Sequence, residues 1–305
     1  MVAQAEEIVR PRPATASDRL RVLLGKTPVH IGLIALALIW LVPTVGLGVT
    51  SFRPKDDILS TGWWHAIAHP GTLTLTNYSQ VIHSAGMGHA FLNSLYITIP
   101  ATILPLLIGA MSAYAFAWIP FPGRDWVFLI IVALMVVPIQ TALIPLLRLF
   151  RDWHLTQPHF GIHMFTFTGI WLAHTAFGLP LAIFLLRNFF ITLPKDLIEA
   201  ARIDGASNLE IFRRIVVPLS VPAIASFGIF QFLWVWNDLL MALILVPLPQ
   251  DQPMTVHITT LLSTYGVEFH LLSAAAFLLM IVPLAVFFAL QRYFVQGLLA
   301  GSVKS

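Results

Sequence analysis

Cysteine is absent from this 305-residue chain and charge is scarce, with only 10% of residues being Asp, Glu, Lys or Arg. The first absence excludes disulfides, thiolate metal sites and cysteine nucleophiles. The second excludes an ordinary soluble domain, in which about 25% of residues are charged. Apolar residues fill the gap: 58% of the chain is hydrophobic, and mean hydropathy is +0.84. So little polar surface does not clothe a water-soluble globule of this size, and lipid is the expected solvent for most of it. A net charge of +3 and a pI near 9.4 raise the question of nucleic acid, but the Lys and Arg form no dense basic patch. The chain also has no G-x-S-x-G and no paired aspartates within an apolar run, so an intramembrane hydrolase lacks its nucleophile and its acid.

A helix needs about 20 apolar residues to cross a bilayer core of roughly 30 Å. Six segments qualify: Pro28–Val49, Ala90–Trp118, Trp126–Leu147, Thr168–Leu186, Leu219–Leu245 and Leu271–Leu290. The third is bounded sharply by Asp125 and Arg148. Prolines 100, 105, 138, 145, 180, 222 and 283 lie inside these spans. In a membrane bundle such prolines are tolerated, because neighbouring helices and Ser or Thr side chains satisfy the carbonyls they free. The first run is longer than the 7–15 residues of a signal h-region and no A-x-A site follows it, so it reads as a retained span. The fold class expected is therefore all-α integral membrane with six transmembrane helices. Residues 1–27 form a polar N-terminal segment, 28–295 the membrane domain and 296–305 a tail.

Orientation follows from the positive-inside rule. With the N-terminus inside, only Arg53, Lys55, Arg148 and Arg151 of the 17 Lys and Arg fall in outer loops. Both termini are thus expected in the cytoplasm. Gly62-Trp63-Trp64 in the long outer loop reads as an interfacial anchor.

One inner loop, about 193–218, carries helix signals of its own. Pro194 suits a first helical turn, and the run to Asp204 ends at Gly205, the residue type that best adopts the left-handed conformation beyond a helix end. Ser207 and Glu210 then form the S-x-x-E of a capping box for a second helix entering the fifth span. Ala200 and Ala201 leave a shallow surface that another protein can approach closely. The capping rules alone do not separate a docking hairpin from a plain juxtamembrane connector.

Glu199-Ala200-Ala201, then Gly205, Ile215 and Val217-Pro218 resemble the EAA loop of ABC importer permeases of the type I class. Val217 stands where that family usually has Leu. The resemblance implies a cytoplasmic coupling helix seated in a cleft of an ATPase subunit, with Glu199, Ala200, Ala201, Gly205, Ile215 and Pro218 as coupling residues. Trp236-Asn237-Asp238-Leu239-Leu240 is similar to the same region of carbohydrate importers. The ending Gln291 to Ser305 is similar to that of the smaller permease of maltose-type and α-glucoside systems, which usually closes in Gly rather than Ser. In that family the tail reaches between the ATPase subunits, which points to Gln296, Gly297 and Gly301. The resemblance covers nearly the whole chain from Pro28 onward. It implies a bacterial inner-membrane permease for a sugar, working with a second permease, two ATPase subunits that bind ATP and Mg, and an extracytoplasmic solute-binding protein. No cofactor is expected on this chain itself.

Asp238 is the one acidic residue within an expected span, where a charge at the bilayer centre costs about 2.5–3.5 kcal/mol on insertion scales. With Trp234, Trp236 and Asn237 it is a candidate for the translocation pathway; as a link between helices it is equally well explained. A proton-coupled secondary transporter with Asp238 as carrier is the rival reading, but it predicts internal repeats and leaves the loop at Glu199 unexplained. Gly25-Lys26-Thr27 resembles the end of a phosphate-binding loop, yet Leu20 occupies the place of its first glycine, so ATP belongs on another chain. His65 with His69, and His159 with His163, have i, i+4 spacing but no Glu of H-E-x-x-H, and read as loop histidines rather than a metal site.

Overall fold

The structure is a computed structural model that describes residues 16–84, 86–155, 166–264 and 268–300. Within these residues every regular element is helical. The long elements are α1 (Ala16–Ser51), α2 (Met87–Trp118), α3 (Arg124–Leu134), α4 (Ile139–Asp152), α5 (Thr168–Phe190), α6 (Lys195–Ile203), α7 (Asn208–Leu219), α8 (Val221–Trp236), α9 (Leu240–Leu245), α10 (Met254–Thr264) and α11 (Phe269–Ala300). Short helical turns between Lys55 and Ser84 fill the first long connection.

Four helices, α1, α2, α5 and α11, are long and apolar enough to cross a membrane singly, and two bent pairs raise the number to six. The α2–α5 pair is the most extensive contact, and α8 lies against α2, α5 and α11. Small residues permit the close approach: a Cβ on Gly109 of α2 would lie 2.6 Å from the Ala182 methyl of α5. By contrast, 6% of the α1 span is buried, against 56% for α5. Helix α1 touches the rest mainly near its end, where Gly48 faces Phe277 and Gly46 faces Trp63.

Two expected spans depart from a straight helix. The third breaks between Leu134 and Ile139, where α3 and α4 meet at 97°. Pro138 has no N–H to return to Leu134 and sits in extended backbone at φ −66°, ψ 131°, capping α4. The fifth is also interrupted. Helix α7 meets α8 at 78° across Ser220, and α8 ends at Trp236 before the chain resumes as α9. A helix of 16 residues spans only about 24 Å, so α8 alone falls short of a bilayer core. No proline causes the second interruption; Asp238 does, as described next.

Candidate functional site

The hairpin of α6 and α7 forms as its local signals dictate. Pro194 occupies the N-cap position, one residue before the helix rather than inside its first turn. At the other end Gly205 takes φ +83°, with its N–H donating to the Arg202 carbonyl at 3.1 Å and that of Ala206 donating to the Ala201 carbonyl at 2.9 Å. These two bonds are the paired closure of a Schellman motif. Ser207 then caps α7: its Oγ accepts from the Glu210 N–H at 3.3 Å, while its N–H donates to Glu210 Oε2 at 2.9 Å. The N–H of Ser207, and then its hydroxyl, hold the Glu210 carboxyl below its ordinary range.

The hairpin is anchored from beneath. Ile198 and Ile211 are fully buried with Tyr114, Leu186 and Phe190 from α2 and α5. Arg202 Nη2 donates to the Trp118 carbonyl at 2.8 Å, and Trp118 Nε1 donates to the Phe190 carbonyl at 3.1 Å. Outward the hairpin presents Glu199, paired with Lys195 at 3.1 Å, and the apolar side chains Leu197, Ile203 and Leu209. Ile203 is 85% exposed. Gly205, Glu210, Arg214 and Ile215 border a shallow groove of about 260 Å³ beside it. Arg202 escaped the sequence reading because its partner lies 84 residues away. Pro218 lies exposed on the final turn of α7, beyond the groove.

A second feature opens at the α3–α4 break. A cavity of about 570 Å³ is bounded by the 134–140 turn, by Pro180 and Leu181 of α5, and by Phe230 and Trp234 of α8. The N–H groups of Met135, Val136 and Val137 donate back into α3, but among the described residues no hydrogen bond reaches their carbonyl oxygens. Eleven residues of α3 rise about 16 Å, so the break falls near half the depth of a bilayer core if α3 runs along the normal.

The four residues singled out on the fifth span separate in the structure. Trp234 lines the large cavity. Trp236 is buried, stacks on Phe232 and donates its Nε1–H to the Leu279 carbonyl at 3.0 Å. Asn237 is exposed and bonds the Leu233 carbonyl of its own helix. Asp238 caps α9: Oδ1 accepts from the Met241 N–H at 3.3 Å and Oδ2 from the Ala242 N–H at 3.0 Å. The short polar side chain competes with helical bonding and ends α8 at this point. His174 Nε2 lies 3.7 Å from Asp238 Oδ2, beyond hydrogen-bond reach, in a small polar pocket that includes Ser94 and Thr98. Of the tail residues, Gln296 and Gly297 fall on the last turns of α11 and Gly301 lies outside the described residues. His65 and His69 stack with ring centroids 4.4 Å apart, and among the described residues no group of three or more metal-ligating side chains forms. His159 and His163 lie outside the described residues.

An apolar helical bundle with a capped hairpin at one end and broken spans beside a cavity is the architecture of a membrane protein. Residues 105–299 match the family described as binding-protein-dependent transport system inner membrane component. The chain belongs to this family, the permeases of ABC importers. It is 55% identical over 284 residues to the osmoprotective compounds uptake permease protein GgtD of Synechocystis sp., covering 92% of this chain and 93% of that protein. It is 38% identical to the alpha-glucoside transport system permease protein AglG of Rhizobium meliloti, covering 90% and 96% respectively. The fold matches a chain in the crystal structure of a bacterial ABC transporter involved in the import of the acidic polysaccharide alginate, with a TM-score of 0.69 at 22% identity, over 93% of this chain and 100% of that one.

Proposed function

We propose that this permease carries a sugar of the α-glucoside type, such as maltose or trehalose, and that its substrate passes the break between α3 and α4. The observation that carries the pathway is that no donor among the described residues reaches the carbonyls of Met135, Val136 and Val137 beside a cavity. Irregular backbone at membrane depth persists only where protein buries it or water reaches it. Sugar hydroxyls are donors that such acceptors lack, and the ring of Trp234 offers the apolar face that a pyranose C–H surface prefers. The names of the relatives support the substrate class, since one takes up osmoprotective compounds and another an alpha-glucoside.

The chain on this reading performs no catalysis. ATP and Mg bind to two separate ATPase subunits, which receive the hairpin through Ile203, Leu209 and the groove at Gly205, with Gln296, Gly297 and Gly301 reaching between them. A second permease completes the pathway, and a solute-binding protein delivers the sugar from outside. The carboxylate oxygens of Asp238 are engaged by the backbone of α9, which favours this reading over a proton carrier.

Two experiments test it. The complex assembled with the genomically adjacent permease, ATPase and binding protein is reconstituted and assayed with radiolabelled maltose, trehalose, sucrose and isomaltose. ATP-dependent uptake of at least one is expected, and a loss of about tenfold in Trp234→Ala. Uptake of none of the four, or dependence on a proton gradient instead of ATP, defeats the proposal. Orientation is tested in intact cells with an impermeant maleimide, which should label Ser79→Cys and spare Asp196→Cys; the opposite pattern reverses the topology.

A further inference from the structure

A proline inside a helix withholds the N–H that would bond the carbonyl four residues earlier. In α2, Pro100 and Pro105 do this to Tyr96 and Ala101; in α11, Pro283 does it to Leu279. Each of these three carbonyls receives a side-chain donor from a different helix. Trp171 Nε1 of α5 donates to Tyr96 at 2.9 Å. Gln231 Nε2 of α8 donates to Ala101 at 3.2 Å, and Trp236 Nε1 of α8 donates to Leu279 at 3.0 Å. All three donors are buried, Gln231 completely. The Gln231 amide is also closely seated, because a Cβ on Gly178 would lie 2.8 Å from its oxygen.

From this coincidence we infer that Trp171, Gln231 and Trp236 are positioning residues for transport, each supplying the donor that a proline withholds and so clamping the proline-bearing segment to its neighbour. Two clamps sit on α8, five positions apart. Helix α8 follows the hairpin directly through the elbow at Ser220, with α7 inclined at 78°. A displacement received at the hairpin reaches α8 first. Through Gln231 and Trp236 it then carries the proline-bearing segments of α2 and α11, so that the three helices move as one body. Without the clamps, α8 shifts and those segments yield independently. The inference rests on the transport reading given above, and needs no particular sugar.

The decisive comparison is a double-mutant cycle in the full reconstituted complex. Trp236→Phe removes the N–H and keeps the stack on Phe232; Pro283→Ala returns the N–H to the Leu279 carbonyl. Trp236→Phe is expected to assemble normally and hydrolyse ATP, but to move about threefold to tenfold less substrate per ATP. Adding Pro283→Ala should restore transport per ATP to within about twofold of wild type. Gln231→Met with Pro105→Ala, and Trp171→Phe with Pro100→Ala, should behave alike. Unchanged coupling in the three donor variants, or a defect that the alanine does not relieve, overturns the inference. So does loss of assembly in all three, which would leave the clamps a folding role only. Wild-type uptake is the control that separates failure of the clamps from failure of the transport reading.

Discussion

Arg202 Nη2 and the Trp118 carbonyl, 2.8 Å apart, join the hairpin to the end of α2 across 84 residues of chain. The carbonyl is among the last four of its helix and has no helical donor of its own, so the guanidinium fills a vacancy that every helix end leaves. The contact is on the surface and contributes about 1 kcal/mol. That is too little to unfold the bundle and enough to loosen the angle of the hairpin. Arg202→Ala should insert at wild-type level, with sugar-dependent ATPase stimulation reduced about threefold or more; Arg202→Lys should fall between the two. Stimulation equal to wild type in Arg202→Ala would remove this bond from the coupling path.

Gly205 offers a cleaner test of the same hairpin. An added Cβ meets no atom within 4 Å, so any penalty is carried by the backbone at φ +83° alone. Alanine there costs about 1–2 kcal/mol, valine more because its branched Cβ crowds the same turn, and asparagine least. Uptake should therefore rank Gly, Asn, Ala, Val at equal membrane abundance, with Gly205→Val nearly inactive. A flat series would mean that the closure of α6 is irrelevant to transport.

The capping box carries a pH signature. Glu210 titrates below its ordinary value of 4.5 because the folded hairpin donates to its carboxylate. A lowered folded value means that its stabilisation is fully present above about pH 4.5 and is lost as pH falls through the lowered value. Amide protection at residues 207–211, corrected for intrinsic exchange, should hold steady from pH 7 to 5 and decline below 4.5. Glu210→Gln, still an acceptor but without a titration, should abolish the decline. Persistence of the decline in that variant would assign it to another group.

Asp238 distinguishes a cap from a charge. Asparagine keeps one of the two oxygens that accept from α9, while alanine keeps neither and costs about 1 kcal/mol. If capping of α9 is its task, Asp238→Asn should assemble normally and retain at least about half the uptake, and Asp238→Ala should fall below it in uptake while still inserting. An Asn variant that assembles fully and transports nothing would show that the negative charge itself is required.

The hairpin could be read residue by residue because its determinants are local: Gly205, and Ser207 with Glu210, lie within a few positions of the groups they satisfy. The breaks in the spans could not. Pro100, Pro105 and Pro283 remain within continuous helices, whereas Pro138 ends one, and the chain around each looks alike. At the first three the freed carbonyl takes a donor from a distant residue, such as Trp171 to Tyr96 over 75 positions, but Pro145 and Pro180 also stay within continuous helices, so the local sequence does not tell the outcomes apart. Asp238 is the intermediate case. Asn237-Asp238 carries the composition of a helix cap, yet within an apolar run of this length the same residues read equally well as a pathway. Trp236 reads in sequence as a pathway candidate; in the structure it is buried and its N–H is committed to the Leu279 carbonyl.

The turn at Met135–Pro138 also has a bearing on biogenesis. Hydrocarbon gives nothing to a bare carbonyl, and each one left in it costs several kcal/mol. At the break three such oxygens meet no donor among the described residues, beside an open cavity. On the proposed assembly, the subunit inserted alone is therefore poorly solvated by lipid until a partner surface closes over the cavity. Its turnover should then be faster without co-synthesis of the proposed partner subunits than with it.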